Sequence, residues 1–321
     1  MVFFLLRRLT QGLAMVLLVS VLMFTAVYAI GDPISLLVPP DATEQTMQLA
    51  RESLGLDQPL YVQYFKFLGN ALQGDLGTSF VFREGALRVI LDRLPATLEL
   101  ATAAMTLAIV IGVPFGILAG LNPRGWWDRS VMFGSVIGFS LPTFWIGILL
   151  ILALSVELGI FPSSGRGETA TLFGVEFSFL TFDGLRHLAL PALSLSLFPM
   201  AILARLARAG VREAMNLDFS RFARAQGNTR RDIVAHYVLR YISIPLVTMI
   251  GLYFGTLIAF AVVTESVFSW PGMGKLIIES INLLDRPIVV AYVMMTVLLF
   301  LAINLIVDVI YCILDPRVRM G

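Results

Sequence analysis

Charge is scarce in this 321-residue chain: 14% of its residues are Asp, Glu, Lys or Arg, against about 25% in a soluble globular domain. That deficit excludes a disordered chain, a basic nucleic-acid-binding domain and an ordinary soluble enzyme. A single cysteine, Cys312, excludes an internal disulfide framework and any CxxC metal or redox site. Two histidines, His187 and His236, are too few for a His-based metal cluster. No HExxH is present, and no GxSxG falls on a strand–turn–helix. Gly272-Met273-Gly274-Lys275-Leu276 resembles a phosphate loop only in passing. Ser269 stands where the first glycine belongs, and Leu276 where Ser or Thr belongs. The chain therefore reads as a non-enzyme with no metal or cofactor of its own. What it has in abundance is apolar: 58% of residues are hydrophobic, which points to a bilayer protein.

A membrane-crossing helix needs roughly 20 mostly apolar residues. Six runs qualify: Leu9–Ile30, Leu98–Leu121, Val131–Val156, Leu188–Leu206, Ile242–Phe268 and Ile288–Leu314. Lipid offers no hydrogen bonds to the backbone, so these runs predict helices, and the fold class is an all-α membrane protein with six transmembrane helices. The first run has Arg7 and Arg8 in front and Val27-Tyr28-Ala29 behind, a loose likeness to a secretory signal. Its uncharged stretch Leu9–Gly31 is longer than a signal core of about 7–15 residues, which favours an uncleaved anchor.

Net charge is +1, from 23 basic and 22 acidic residues. Alternate sides of the six runs share the bases unequally. Fourteen of the 23 fall on the side of the N-terminus: Arg7, Arg8, Arg124, Arg129, Arg205, Arg208, Arg212, Arg221, Arg224, Arg230, Arg231, Arg240, Arg317 and Arg319. The opposite side has longer loops and holds most of the acids, including Asp32, Asp41, Glu44, Glu52, Asp57, Asp75, Glu84 and Asp92. The positive-inside rule then predicts cytoplasmic termini and external 31–97 and 157–187 segments. His187 and His236 fall on opposite sides.

Within the external 31–97 segment, Thr43–Leu54 reads as a helix ending at Gly55. Pro59 opens another that runs through Leu72. Thr171–Leu180 alternates loosely enough for a β-hairpin. Gly112-Val113-Pro114-Phe115-Gly116, Pro142, Pro191 and Pro199 interrupt apolar runs. They mark either kinks re-satisfied by neighbouring helices or hinges and pathway lining. Pro142, Glu265 and Asp308 are the candidate pathway or gating residues, because intramembrane carboxylates are functional candidates by default. Glu99 and Glu265 near span ends could equally be anchors, and Asp308 could pair with a partner's arginine.

Eight arginines fall between Arg205 and Arg240, offset only by Glu213, Asp218 and Asp232. Met215, Phe219 and Phe222 give this stretch one helical face. Gly227-Asn228 suits a helix end. Thr229 with Asp232 forms a capping box for a second helix, whose face is Ile233, Tyr237 and Tyr241. Small residues Ala223, Ala225 and Gly227 gather at the turn. One reading is an interfacial helix on anionic head groups, each Arg worth about 1 kcal/mol. The other is a docking site, which also explains the small residues.

Several motifs in order give the chain its resemblance. They are Leu54-Gly55-Leu56-Asp57-Gln58-Pro59-Leu60 with Val62-Gln63-Tyr64, Gly74-Asp75-Leu76-Gly77, and Arg93-Leu94-Pro95-Ala96-Thr97-Leu98-Glu99-Leu100. Then come Ser140-Leu141-Pro142-Thr143-Phe144-Trp145, Thr264-Glu265-Ser266-Val267-Phe268-Ser269-Trp270-Pro271-Gly272 and Asp315-Pro316-Arg317-Val318-Arg319. Over nearly its full length the chain resembles the B-type membrane subunit of the dipeptide/oligopeptide family of ATP-binding-cassette importers. The family's ATPase-coupling motif reads Glu-Ala-Ala, three residues, Gly, nine residues, Ile-x-Leu-Pro. Counted from Gly227, Arg221-Phe222-Ala223 take the first three places, Tyr237 the Ile place and Leu239-Arg240 the Leu-Pro place. Ala223-Arg224-Ala225-Gln226-Gly227 is similar to the peptide branch's Ala-Arg-Ala-Lys-Gly.

The resemblance implies a type I importer permease fold with a helical outer loop between helices 1 and 2. It implies an N-terminal transmembrane helix (1–30), an external helical segment (31–97), a permease core (98–314) and a cytoplasmic tail (315–321). The coupling loop would be 207–241, with Arg221, Phe222, Ala223, Arg224, Ala225, Gly227 and Asp232 at the ATPase contact. Implied partners are a homologous C-type permease, two cytoplasmic ATPases that use ATP and magnesium, and an external substrate-binding protein, in a bacterial inner membrane. Peptides are the expected substrate; a nickel complex, glutathione or an oligosaccharide are the alternatives within the family. An ion-coupled secondary transporter is the rival outside it, and it would need more buried charge in the spans than the sequence has.

Overall fold

The computed structural model describes residues 2–29, 43–53 and 57–314. In chain order the elements are α1 (Val2–Ala29), α2 (Glu44–Ser53), α3 (Leu60–Leu72), α4 (Ala86–Leu121), α5 (Trp126–Ser140), α6 (Thr143–Glu157), β1 (Ala170–Leu172), β2 (Val175–Phe177), α7 (Phe182–Ala214), α8 (Asp218–Ala225), α9 (Arg230–Val267), α10 (Met273–Asn282) and α11 (Arg286–Leu314). Four of them, α4, α7, α9 and α11, are long and apolar enough to cross a bilayer. Two further expected runs look different. The α1 helix contains a shorter apolar stretch, Thr10–Ala26.

The run Val131–Val156, expected as one span, is broken into two helices, α5 and α6, bent by 104°. The cause is local. Pro142 (φ −62°, ψ 137°) and Leu141 before it (φ −98°, ψ 130°) are both extended. A proline's ring pushes the preceding residue out of the helical region, so two consecutive residues leave the helix. Ser194 on α7 holds the new start by donating its hydroxyl to the Thr143 carbonyl at 2.8 Å.

Contacts divide the chain into two compact units, Met1–Leu94 with Leu276–Leu301, and Pro95–Lys275 with Ala302–Gly321. In the first, α2 and α3 form where the sequence placed helices, and Pro59 caps α3. The expected stop at Gly55 lies outside the described residues. Tyr64 on α3 shares a 2.9 Å hydrogen bond with Ser20 on α1. A tight loop, closed by a bridge between Thr78 and Gly85, sits on the carboxylate of Asp285. Asp285 is fully buried. It accepts from the Ser79 hydroxyl and from the amides of Phe80 (3.1 Å) and Val81 (3.3 Å).

The second unit is organised around α7. Its 33 residues span roughly 50 Å at 1.5 Å each, and it passes through Pro191 and Pro199 without a break. The C-terminal half of α4 lies on α7 backbone to backbone. A Cβ added at Gly112, Gly116 or Gly120 would come within 2.7, 2.3 and 2.7 Å of α7 atoms. Glycines at i, i+4 and i+8 on one helix face produce this close approach, as in other membrane helix pairs. The glycine–proline cluster read as a kink or a hinge is thus a packing seam. A π-type turn at Ala108–Gly112 absorbs the amide that Pro114 lacks. The hairpin expected within Thr171–Leu180 is present, with Ala170 opposite Phe177. Phe173 and Gly174 turn it with φ of 53° and 80°, the positive angles that a two-residue loop needs.

Candidate functional site

The arginine-rich connection between α7 and α9 starts later than the sequence suggested. α7 continues to Ala214, so Arg208 and Arg212 are helical residues rather than loop residues. Both turn onto Asp128 at the start of α5. Arg208 Nε donates to its carboxylate, Arg212 Nη2 lies 2.6 Å from it, and the Arg124 amide donates at 2.9 Å. Arg205 stacks over Phe139 at 5.2 Å, and Arg230 Nη2 donates to the Leu121 carbonyl. Four of the eight arginines are therefore held by α4 or α5, away from α8.

What remains is built around α8. Met215, expected on its apolar face, is instead the cap of α7, so the Met215–Phe219–Phe222 face is corrected. The buried face of α8 is Ser220 and Ala223, both with no exposed surface. Their small size lets α8 lie against the first turn of α9, where Ile233 is also fully enclosed. The Ser220 hydroxyl donates to the Ala214 carbonyl at 2.7 Å. Phe222 is pushed outward and is 65% exposed. Beside it stand Arg221, whose side chain is 70% exposed and 3.6 Å from Asp218, and the exposed Arg224, Ala225 and Gly227. Arg224 Nη2 reaches back to the Met215 carbonyl.

Both ends of the turn match the sequence reading. Gly227 has φ +84°, and its amide and that of Asn228 donate to the carbonyls of Arg224 (3.0 Å) and Ala223 (3.2 Å). This is a Schellman closure, which needs a left-handed residue. A Cβ at Gly227 would meet nothing within 4 Å, so the surface there is open. Thr229 and Asp232 form the expected capping box. Asp232 accepts from the Thr229 amide at 3.2 Å and the Asp232 amide donates back to Thr229 Oγ1 at 3.3 Å.

Phe219 stands apart from the outward strip. Its ring stacks on Tyr237 at 6.3 Å (19°) and lies 5.9 Å from Tyr241. Each such pair contributes about 0.5–1.5 kcal/mol beyond simple burial. Tyr241 donates its hydroxyl to Glu213 on α7 at 2.8 Å. The second helical face named in the sequence is thus split, with Ile233 enclosed and both tyrosines half-exposed against Phe219.

Two sequence motifs 168 residues apart meet in a second cluster. Glu265 has no exposed surface. It accepts from the Thr97 hydroxyl at 2.7 Å and the Lys275 amide at 2.9 Å. Thr97 Oγ1 accepts from the Met273 amide at 2.8 Å, and Trp270 Nε1 donates to the Ala96 carbonyl at 2.8 Å. Only glycine fits at 272 and 274, since a Cβ would lie 2.3 and 2.5 Å from Glu265 and Val262 atoms. Glu99 accepts from the Ser178 and Phe179 amides at 2.6 and 2.8 Å, and Arg166 Nη2 donates to it at 2.7 Å. That guanidinium also lies over Trp270 at 5.8 Å. The geometry makes Glu99 and Glu265 clamps that join the Ala96–Glu99 stretch of α4, the hairpin segment and the α9–α10 turn. Of the other two pathway candidates, Pro142 is exposed at the α5–α6 bend and Asp308 is buried and engaged on α11.

Asp128, Arg166 and Asp285 were missed from sequence. Asp128 was detectable as an acid between Arg124 and Arg129 on the basic side of the chain. The other two had no local signal.

Comparison with known proteins assigns the chain to a family. Residues 112–320 match the family described as binding-protein-dependent transport system inner membrane component, and residues 1–101 match its N-terminal companion. The chain is 37% identical over 319 residues to the oligopeptide transport system permease protein AppB of Bacillus subtilis (strain 168), covering 98% of this chain and 99% of that one. It is 38% identical over 317 residues to the glutathione transport system permease protein GsiC of Escherichia coli (strain K12), covering 98% of each. It is 38% identical over 333 residues to the di/tripeptide transport system permease protein DppB of Pseudomonas aeruginosa (strain UCBPP-PA14), covering 99% of each. Among solved structures, an inward-facing MetNI methionine ABC transporter chain matches with a TM-score of 0.54 at 18% identity, over 71% of this chain and 96% of that one. That match speaks to the fold alone.

Proposed function

This chain belongs to the family of inner membrane components of binding-protein-dependent transport systems, a multi-pass permease of an ABC importer, and from that premise we propose that it forms one half of a peptide-conducting pathway driven through α8. The spans are α1, α4, the bent α5–α6 pair, α7, α9 and α11, with both termini cytoplasmic and the hairpin external. The second half is a homologous C-type permease. An external binding protein delivers substrate to the outer loops. Two cytoplasmic ATPases, which bind the ATP and magnesium, grip the strip Arg221, Phe222, Arg224, Ala225 and Gly227. Their closure shifts α8 and rocks the bundles between inward- and outward-open states, which only contacts that differ between the two states can transmit.

One observation carries the coupling reading: a 65%-exposed Phe222 beside exposed arginines and an open glycine, on a short helix locked in place by its own small-residue face. An exposed aromatic between cations is suited to a protein pocket. An interfacial helix for lipid would instead carry a continuous apolar face, whereas α8 shows one outward phenylalanine. Short peptides are the substrate that two of the named relatives support. Glutathione, itself a tripeptide, is the second reading, supported by the third.

The test is reconstitution of the chain with its candidate ATPases, permease partner and binding protein, followed by ATP turnover and uptake of labelled di- and tripeptides and glutathione. The expected result is ATP-dependent uptake that requires the binding protein. Uptake that persists without the ATPases, or that follows an ion gradient, would overturn the reading.

A further inference from the structure

Phe222 and Phe219 lie three residues apart on α8 and point to different neighbours. Phe222 is 65% exposed, whereas Phe219 stacks on Tyr237 and Tyr241 at 6.3 and 5.9 Å. We propose that Phe219, Tyr237, Tyr241 and Glu213 form a strut that transmits displacement of α8 into the transmembrane helices α7 and α9, as positioning residues distinct from the docking strip. The proposal rests on the coupling reading above and deepens it.

The geometry supports it in three ways. First, α8 is otherwise attached through small contacts. Ser220 and Ala223 are buried but short, and the Schellman closure and capping box fix the turn's shape without binding α8 to the length of α9. Phe219 makes the only aromatic ring contacts of α8 among the described residues, and both go to α9. Second, Tyr237 and Tyr241 lie one turn apart on α9, and a π-type turn at Val234–Val238 sets their direction. A π-type turn inserts an extra residue per turn and is found often at functional positions. Third, Tyr241 continues the chain of contacts to α7 through the 2.8 Å hydrogen bond from its hydroxyl to Glu213. One ring thus leans on a path that enters both long helices, close to where each leaves the α8 connection. A packed path of this kind, with discrete contacts, is what couples two sites physically.

The strut and the docking strip are separable by mutation. In the reconstituted importer, three quantities are read for each variant: ATPase co-purification, ATP turnover, and peptide uptake per ATP hydrolysed. Phe219→Ala is expected to retain ATPase co-purification within about twofold of the parent, while uptake per ATP falls about tenfold. Tyr241→Phe removes only the hydrogen bond to Glu213 and is expected to lower uptake per ATP by a few fold, about two- to threefold. Phe219→Tyr keeps the ring and is expected to restore coupling. Phe222→Asp serves as the contrast and is expected to lose the ATPases altogether.

Loss of the ATPases from Phe219→Ala, or unchanged uptake per ATP, would overturn the strut. If Phe219→Ala fails to insert or accumulate, Tyr241→Phe and Phe219→Tyr decide instead: unchanged uptake per ATP in the first, or no recovery in the second, overturns the proposal. If Phe222→Asp keeps its ATPases and its uptake, the coupling reading itself fails, a result distinguishable from failure of the strut alone.

Discussion

Glu265 has no exposed surface, and its two oxygens accept from the Thr97 hydroxyl and the Lys275 amide. Removing a buried acceptor of this kind is costly, because its two donors are then left without partners. Glu265→Ala is therefore expected to destabilise the protein by about 2–4 kcal/mol, read as a fall in the thermal midpoint in detergent. Glu265→Gln keeps one acceptor oxygen for Thr97 and should cost less than half as much. Equal losses in the two variants would show that the carboxylate's second acceptor oxygen or its charge decides the stability, since Gln keeps the volume packed on Gly272 and Gly274. Individual residues were legible in the sequence where the chemistry was local. Thr229 and Asp232 are three residues apart, and their capping box was read from spacing alone. Thr97 and Glu265 are 168 residues apart, so hydropathy could mark each as unusual but could not pair them. The same holds for Asp285, whose partners Ser79, Phe80 and Val81 lie about 200 positions earlier.

Along the helices, the seam between α4 and α7 depends on glycine more than on hydrophobicity. At Gly116 an added Cβ would sit 2.3 Å from the Ala204 carbonyl oxygen and 2.8 Å from Ala207 Cβ. Neither neighbour can yield, since one is backbone and the other is a fully buried methyl. Gly134 on α5 has nothing within 4 Å of an added Cβ. Gly116→Ala should lower the thermal midpoint by an amount corresponding to about 1–3 kcal/mol of overpacking. Gly134→Ala should leave it unchanged or raise it, since alanine is favoured over glycine in a helix interior by about 1 kcal/mol. A matching loss at both positions would remove the close-packing explanation. Helical periodicity located most elements in the sequence, because each apolar run is long. It failed at two places for identifiable reasons. In Val131–Val156 the average hydropathy hides a single Leu141-Pro142 step that turns the backbone by 104°. On α8 the apolar residues do not mark the inward face, because the small Ser220 and Ala223 are the enclosed ones and Phe222 is 65% exposed.

For the whole molecule, the near-zero net charge of +1 conceals an uneven distribution, and the distribution predicts sidedness. The arginines of the α7–α9 connection should remain on the side where a positive loop is retained during insertion. The hairpin tip, separated from it by α7, should emerge on the other side. Two exposed positions report on this within one compact unit: Phe173 at the tip, which is 97% exposed, and Gln226 beside Gly227. Cys312 is the one native thiol, so a Cys312→Ser background makes each introduced cysteine unique. In intact cells with a permeabilised outer barrier, a membrane-impermeant maleimide should label Phe173→Cys at once. It should label Gln226→Cys only after the inner membrane is opened. Reversal of the two would invert the topology and place α8 where no cytoplasmic ATPase could reach it. Labelling of both from the same side would mean that α7 does not cross. The expected outcome places the proposed ATPase strip and the proposed substrate-delivery face at opposite ends of α7, whose 33 residues span roughly 50 Å at 1.5 Å each, so that a push at one end can be carried along a single helix to the other.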